Sequence, residues 1–240
     1  MASMLRSKVN YPKFKLRRVR LSQSSKTCMV LTTTTTESLS FEIFLADYLE
    51  EDYYELIDGE LIDLEPTGLH EQVSGLINRK LNVEIDRLNL PWFIPMKCLI
   101  KPLGINTAFR PDVVILDQTA LVQEPLWRSE PVITLGNSVK MIVEVVSGNW
   151  QNDYARKVEE YEALGIPEYW IVDYLGLGGK RYIGSPKQPV ITIYQLVEQT
   201  YQGRQFRDSV DVSLGSQSRL ISPTFPALEI TAEEVFTAGK

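Results

Sequence analysis

The run Met141-Ile-Val-Glu-Val-Val146 carries one carboxylate, Glu144, inside an otherwise apolar segment. A lone ionised carboxylate in a buried strand costs several kcal/mol unless it is paired or binds a metal. Upstream, Asp112 raises the same difficulty at the head of another apolar segment, Val113-Val-Ile-Leu116. If the two strands are neighbours, both carboxylates point at one spot, and oxygen ligands of this kind suit a hard divalent cation such as Mg²⁺. Downstream, Asp153, Lys157 and Tyr161 are spaced by four and share one helix face, with Arg156 and Glu160 on the adjacent one. The helix starts just beyond the strand that holds Glu144, a placement that allows Lys157 to project back over the sheet. Two metal-binding carboxylates and a lysine that orients or polarises a water suffice for metal-assisted hydrolysis of a phosphodiester.

These residues need a scaffold, and periodicity predicts one. Ser40 caps a helix running to about Glu51, with Phe41, Phe44, Leu45 and Tyr48 as its apolar stripe. In YELIDGELIDLE, Asp58-Gly59 between two apolar-rich runs is a strong hairpin signal. From Leu69 to Leu88, apolar residues recur at spacings of three and four (Val73, Leu76, Ile77, Leu81, Ile85, Leu88) and mark an amphipathic helix. WFIPMKCLIK and FRPDVVILD read as strands, the second starting after Pro111, and SVKMIVEVVS as a third that is buried on both faces apart from Glu144. Asn152 or Asp153 caps a helix ending near Leu164, Gly165 stops it, and EYWIVD is another buried strand. Strand, helix and strand in that order predict a right-handed crossover between parallel neighbours. VITIYQLVEQTYQGRQF predicts a further hairpin and FPALEITAEEVF a short closing element. The expected class is α/β, with a mixed central β-sheet flanked by helices.

At 240 residues the chain suits one substantial domain with an extension, and its hydrophobic and charged fractions are those of a globular protein. No apolar run is long enough to span a bilayer, and two cysteines, Cys28 and Cys98, make no disulfide framework. A cytoplasmic location is the expectation. Residues 1–28 carry eight basic residues and no acid, so with a net charge of −6 the remainder carries −14. Residues 1–36 are expected to form a disordered basic extension, with Met29 as an alternative start. A basic arm for nucleic acid and a targeting peptide are the other readings of this head. Residues 37–240 are expected to form the single folded domain. Its acidity weighs against broad, sequence-independent binding to phosphate backbones.

Taken together, Asp112 in RPDVVI, Glu144 in VEVVS and the D-x-x-x-K spacing of DYARK resemble the PD-(D/E)xK nuclease superfamily, and within it the bacterial restriction endonucleases of the Uma type. The family pattern is met in order by YELIDGEL, His70 opening a helix, RPDVVI, VEVVS, DYARK and GIPEYWIVD, over roughly residues 41–236. The resemblance implies a restriction-endonuclease-like core and a DNA endonuclease that uses Mg²⁺, with Mn²⁺ as a substitute. It also implies Asp112, Glu144 and the backbone carbonyl of Val145 as metal ligands. Lys157 would position the attacking water, with Glu55 as an auxiliary acid near the metal. His70, the chain's one histidine, is an auxiliary candidate for contacting a phosphate or placing a water. In the archetypal motif the lysine follows the glutamate by two residues, and here that position is Val146. Lys157 serves in its place only if its helix crosses the face of the sheet from which Glu144 and Val146 project.

Each residue has a plainer reading. Glu144 is then a structural ion pair with Arg110, Asp112 ends a turn, His70 is an ordinary first-turn helix residue, Asp153 is a helix cap, and Tyr169 and Trp170 are core. The functional alternative is a nuclease-fold protein that acts in nucleic-acid binding or assembly, without catalysis or with a partner. RNA would be cut by the same chemistry as DNA. A homodimer is expected, since two strands need two sites. Removal of a metal ligand or of Lys157 is expected to cost orders of magnitude in rate while leaving the fold intact.

Overall fold

In the computed structural model, residues 38–49, 51, 53–64, 66–104, 106–207 and 219–240 are described. The basic extension expected over residues 1–36 lies outside the described residues. Helix α1 (Phe41–Tyr48) is capped by Ser40, whose hydroxyl accepts from the Ile43 amide at 3.3 Å. It packs on the hairpin of β1 (Tyr54–Ile57) and β2 (Glu60–Asp63), which turns through Asp58 and Gly59 at φ +51° and +83°. The positive φ at both central positions matches the twist of the flanking strands and explains the Asp-Gly pair. Helix α2 (Gly68–Arg87) is capped by Thr67 and buries Val73, Ile77, Leu81 and Ile85, as its spacing predicts.

Strands β3 (Trp92–Phe93), β5 (Val113–Asp117), β7 (Val139–Val145), β8 (Glu168–Asp173), β9 (Val190–Val197) and β10 (Thr200–Phe206) form one mixed sheet in the order β10-β9-β8-β7-β5-β3. Within it only β7 and β8 run parallel, as expected of a strand–helix–strand unit. A separate parallel pair joins β4 (Leu99–Ile100) to β6 (Val132–Ile133). WFIPMKCLIK therefore does not form the single strand expected of it. Its two ends belong to different sheets and are separated by Pro95, which has no N–H to offer a ladder, and by the almost fully exposed Met96.

Two clusters of apolar side chains cover the sheet. Val143 and Val145 of β7 face α2 and the C-terminal helix α5 (Ala232–Ala238). Ile142 and Val146 face the opposite side, with Tyr154, Tyr161 and Tyr169. Strand alternation therefore puts Glu144 on the same side as Val146, where the helix after β7 lies. That helix starts at Trp150, widens into a π-helical turn at Asn152–Arg156, and continues as α3 (Lys157–Ala163). Asp153 is therefore not a cap, because helical backbone already precedes it. Gly165, at φ +75°, ends the helix as predicted, and the short α4 (Lys180–Ile183) follows β8.

At the end of β5, Asp117 accepts from the Thr119 amide and hydroxyl at 2.9 and 2.6 Å and pairs with Lys140 at 3.0 Å. Burial alone would raise its pKa, but the Thr119 bonds and Lys140 outweigh burial and hold it down to about 2. A depressed folded-state pKa contributes stability that is present above the unfolded value and lost as pH falls through about 2. Asp117→Asn is expected to remove about 1 kcal/mol of acid-dependent stability, after allowance for solvent screening. Urea unfolding of both proteins between pH 5 and pH 2 checks this, and parallel acid profiles would refute it.

Candidate active site

Strand register builds the site. Val113 pairs with Val143 across β5 and β7, so one residue further on Asp112 stands against Glu144. The Val145 amide seals this corner by donating to Asp112 Oδ2 at 2.6 Å. The β1–β2 hairpin is tied to the chain entering β5 by reciprocal backbone bonds between Leu56 and Ala108, at 3.0 and 2.7 Å. Glu55 Oε1 also accepts from the Arg110 amide at 2.8 Å. These contacts, together with α3, gather Glu55, His70, Asp112, Glu144 and Lys157 around one cleft of about 450 Å³. The six positions proposed from sequence, the Val145 carbonyl included, thus lie together.

Lys157 crosses the sheet as the pattern requires. Its ammonium lies 3.0 Å from Glu55 Oε1, 3.0 Å from Glu144 Oε2 and 3.2 Å from Asp153 Oδ1, with the side chain 4% exposed. Its three N–H donors thus meet three carboxylates, while the Phe109 ring lies 5.7 Å from the charge. Burial works against the ammonium, but Glu144, Glu55 and Asp153 more than compensate and hold its pKa well above the lysine range. On Glu144, burial dominates and raises the pKa despite Lys157, with Asp112, Glu55 and Asp153 pushing the same way. Asp153 rises to about 6, mainly through burial. Several carboxylates share one buried cation, so the lysine stays charged, while burial holds the two acids toward their neutral forms.

The second Glu144 oxygen, Oε1, accepts from Tyr161 Oη at 2.8 Å. The proposed pair between Glu144 and Arg110 is not formed. Arg110 donates instead to the carbonyls of Tyr54, Tyr48 and Leu49 at 2.9, 3.1 and 3.0 Å, tying α1 and the hairpin to the site. Trp170 donates to Glu168 at 2.6 Å and, like Tyr169, belongs to the core.

His70 Nε2 stands 2.9 Å from the Val145 carbonyl oxygen and 3.4 Å from Asp112 Oδ1. Burial would lower its pKa, but the bond to Asp112, that carboxylate's charge, the Val145 carbonyl and Glu71 raise it to about 9. Nδ1 lies 3.5 Å from Glu71 Oε1 without making a hydrogen bond to it.

The donor chemistry fits a divalent ion: carboxylate oxygens in excess, with His70 Nε2 within 3.4 Å of both Asp112 Oδ1 and the Val145 carbonyl oxygen where the cleft meets β7. Glu144 is the poorer fit, since Tyr161 and Lys157 engage its two oxygens. Among the described residues no three His, Cys, Asp or Glu side chains are grouped as a metal site.

Two residues that touch the proposed site were missed by the sequence reading. Asp153 was assigned to a cap, although its spacing of four from Lys157 was the signal that it shares the site. Tyr161, next on the same face, carried the same signal, but its partner Glu144 is 17 residues away and became visible only with the fold.

Among known families, the Uma2 family, described as "Putative restriction endonuclease", matches residues 42–233. No curated protein matches. Among solved structures, a "putative nuclease belonging to DUF820" from Anabaena variabilis ATCC 29413 is similar, with a TM-score of 0.59 and 15% identity over 84% of this chain and 99% of that chain. At that identity the likeness is one of fold, and it extends over nearly the whole of the other molecule. Among the described residues no helix is long and apolar enough to cross a membrane.

Proposed function

Because the chain belongs to the Uma2 family, we propose that it is a Mg²⁺-dependent DNA endonuclease whose site is the Asp112–Glu144–Lys157 cleft. The observation that carries the reading is that these three residues, from the residue just before β5, from β7 and from α3, line one cleft, with Glu144 paired to Lys157 and Asp112 bonded to the next amide of β7. Asp112, Glu144 and the Val145 carbonyl would hold Mg²⁺, or Mn²⁺ in its place. When bound, the ion supplies Lewis-acid polarisation of a phosphoryl oxygen and lowers the pKa of a ligated water.

The chain's own residues do the rest. Lys157 is fixed by Glu55 and Asp153 as well as by Glu144, and it is positioned to orient the attacking water and offset charge on the phosphate. Tyr161 fixes the Glu144 carboxylate through Oε1. Asp112 binds the Val145 amide, which holds the two ligand-bearing strands in register. RNA offers the same scissile group, and the acidic body carrying −14 favours a substrate met at few phosphates. The active species in this reading is a homodimer with one site per strand.

Supercoiled plasmid incubated with Mg²⁺ or Mn²⁺ tests the reading. Metal-dependent cleavage abolished by chelator and by Asp112→Asn is the expected result, with linear product appearing directly if a dimer cuts both strands. Equal cleavage by the variant would sink it. A second reading, binding or assembly without catalysis, is favoured by the saturation of Lys157 with three carboxylates, an arrangement that structural ion networks share. Absence of divalent-ion binding at millimolar concentration would favour it.

A further inference from the structure

The body of the chain is acidic, yet from Tyr174 to Val197 it carries Lys180, Arg181 and Lys187 and no acid. All three are exposed. The end of β10 adds a fourth cation to the same face. Gln205 donates to the Tyr182 carbonyl at 2.7 Å and Arg207 to the Ile183 carbonyl at 2.8 Å, which ties the half-buried Arg207 to α4. Glu198, the one acid between Tyr174 and Arg207, sits in the turn at the other end of the β9–β10 hairpin. This basic face borders the mouth of the cleft. Asn149 and Asn152 line the cleft, and between them Trp150 packs on Tyr182 with ring centroids 6.2 Å apart and lies 5.9 Å from Lys187 Nζ. Gly179 makes the approach possible, because a Cβ there would stand 2.8 Å from the Trp150 ring. From Trp150 to Lys157 the helix rises about 10 Å, the length of about three base-pair steps of duplex.

We infer that the face formed by Lys180, Arg181, Lys187 and Arg207 around Trp150 and Tyr182 holds the backbone of duplex DNA, about three nucleotides or more from the scissile phosphate. The inference rests on the DNA reading of the preceding subsection. Clustered cations on a body of opposite net charge concentrate the attraction for a polyanion at one place. Such contacts fix the position of a duplex and read no sequence. They also release counterions, so binding through them weakens steeply with salt. The face thus supplies phosphate contacts on a molecule whose net charge opposes them, and it sets the direction in which the substrate leaves the cleft, over Trp150 toward α4.

The test is binding of the full chain to a fluorescently labelled duplex in EDTA, followed by anisotropy over a range of salt concentrations. The triple variant Lys180→Ala, Arg181→Ala, Lys187→Ala is expected to bind at least about tenfold more weakly at about 0.1 M salt, with the salt dependence flattened by about one unit per residue removed. Lys187 also donates to the Leu177 carbonyl at 3.0 Å, so the double variant Lys180→Ala, Arg181→Ala, which keeps that bond, is measured beside it and should show about two thirds of the flattening. Arg79→Ala removes one exposed charge from α2, on the other side of the sheet, and should leave binding unchanged where Lys187→Ala weakens it. Equal binding by the triple variant and wild type, or equal losses in Arg79→Ala and Lys187→Ala, overturns the inference. Tighter binding of wild type to phosphatidylserine vesicles than to the duplex, lost in the triple variant, assigns the face to a membrane and overturns it as well. Plasmid cleavage by wild type in Mg²⁺ separates this result from the nuclease reading. Cleavage without a binding loss in the variants sinks the inference alone, binding that depends on the face without cleavage sinks the nuclease reading alone, and neither binding nor cleavage sinks both.

Discussion

Replacing Lys157 with alanine is expected to destabilise the protein by about 3–5 kcal/mol at pH 8, besides abolishing cleavage. The sequence suggested a substitution that would spare the fold, but the structure revises this. The ammonium is the shared partner of Glu55, Glu144 and Asp153, all buried, and its removal leaves three carboxylates without a compensating charge. The deficit should shrink on acidification. Burial already raises the Glu144 pKa and brings Asp153 to about 6 in the presence of Lys157, and loss of the cation raises both further. For a carboxylate with a raised folded-state pKa, stability is fully present below the unfolded value and is lost as pH rises through the folded one. The variant should therefore recover much of its stability by pH 4–5, near the unperturbed carboxylate values. Urea unfolding at pH 8 and pH 5 measures this, and a variant as stable as wild type at pH 8 would show that the cluster does not carry the charge assigned to it.

Glu144→Gln should behave in the opposite way, with cleavage falling by at least about 100-fold, since even partners outside the ligand set commonly cost 10- to 100-fold, while stability changes by less than about 1 kcal/mol. Glutamine has the same shape, its carbonyl can accept from Lys157, and its amide can donate to the Tyr161 oxygen. It also removes an acid whose charged form burial disfavours, and the melting temperature is expected to hold or rise. Initial rates on plasmid with Mn²⁺ and thermal melts of the two proteins decide the matter. An active variant would remove Glu144 from the ligand set, and a collapse in stability would show the carboxylate to be structural. The pair of substitutions separates the two roles proposed for the cleft, since in this reading the lysine supports both fold and chemistry, whereas the glutamate is kept at an electrostatic cost.

Much of this was legible because it is local. Asp58-Gly59 carries its turn in two residues, the α2 stripe repeats on one helix face, and Gly165 marks its own stop. The constellation of Asp112, Glu144 and Lys157 was readable because each offends its surroundings: two acids at apolar strands, and a lysine placed to face them. What was not legible depends on contacts distant in sequence. Tyr161 reads as core until Glu144 is found beneath its hydroxyl, and Arg110 reads as a partner for Glu144 until the carbonyls of Tyr48, Leu49 and Tyr54 claim it. The broken strand around Pro95 was written in the sequence, but the apolar residues on either side outweighed it in the periodicity.

The π-helical turn at Asn152–Arg156 gives the segment after β7 a fixed length as well as a fixed composition. Trp150 just before it and Tyr154 within it pack against Tyr182, and Tyr154 Oη donates to Asp173; beyond it Lys157 and Tyr161 hold Glu144. One residue more or less rotates everything beyond it by about 100° relative to what precedes, so the two anchored ends could not both stay seated. Substitutions at the exposed Gln151 leave this phase untouched. Insertions and deletions do not, and the stretch from Trp150 to Tyr161 is where this chain can least afford a change of spacing.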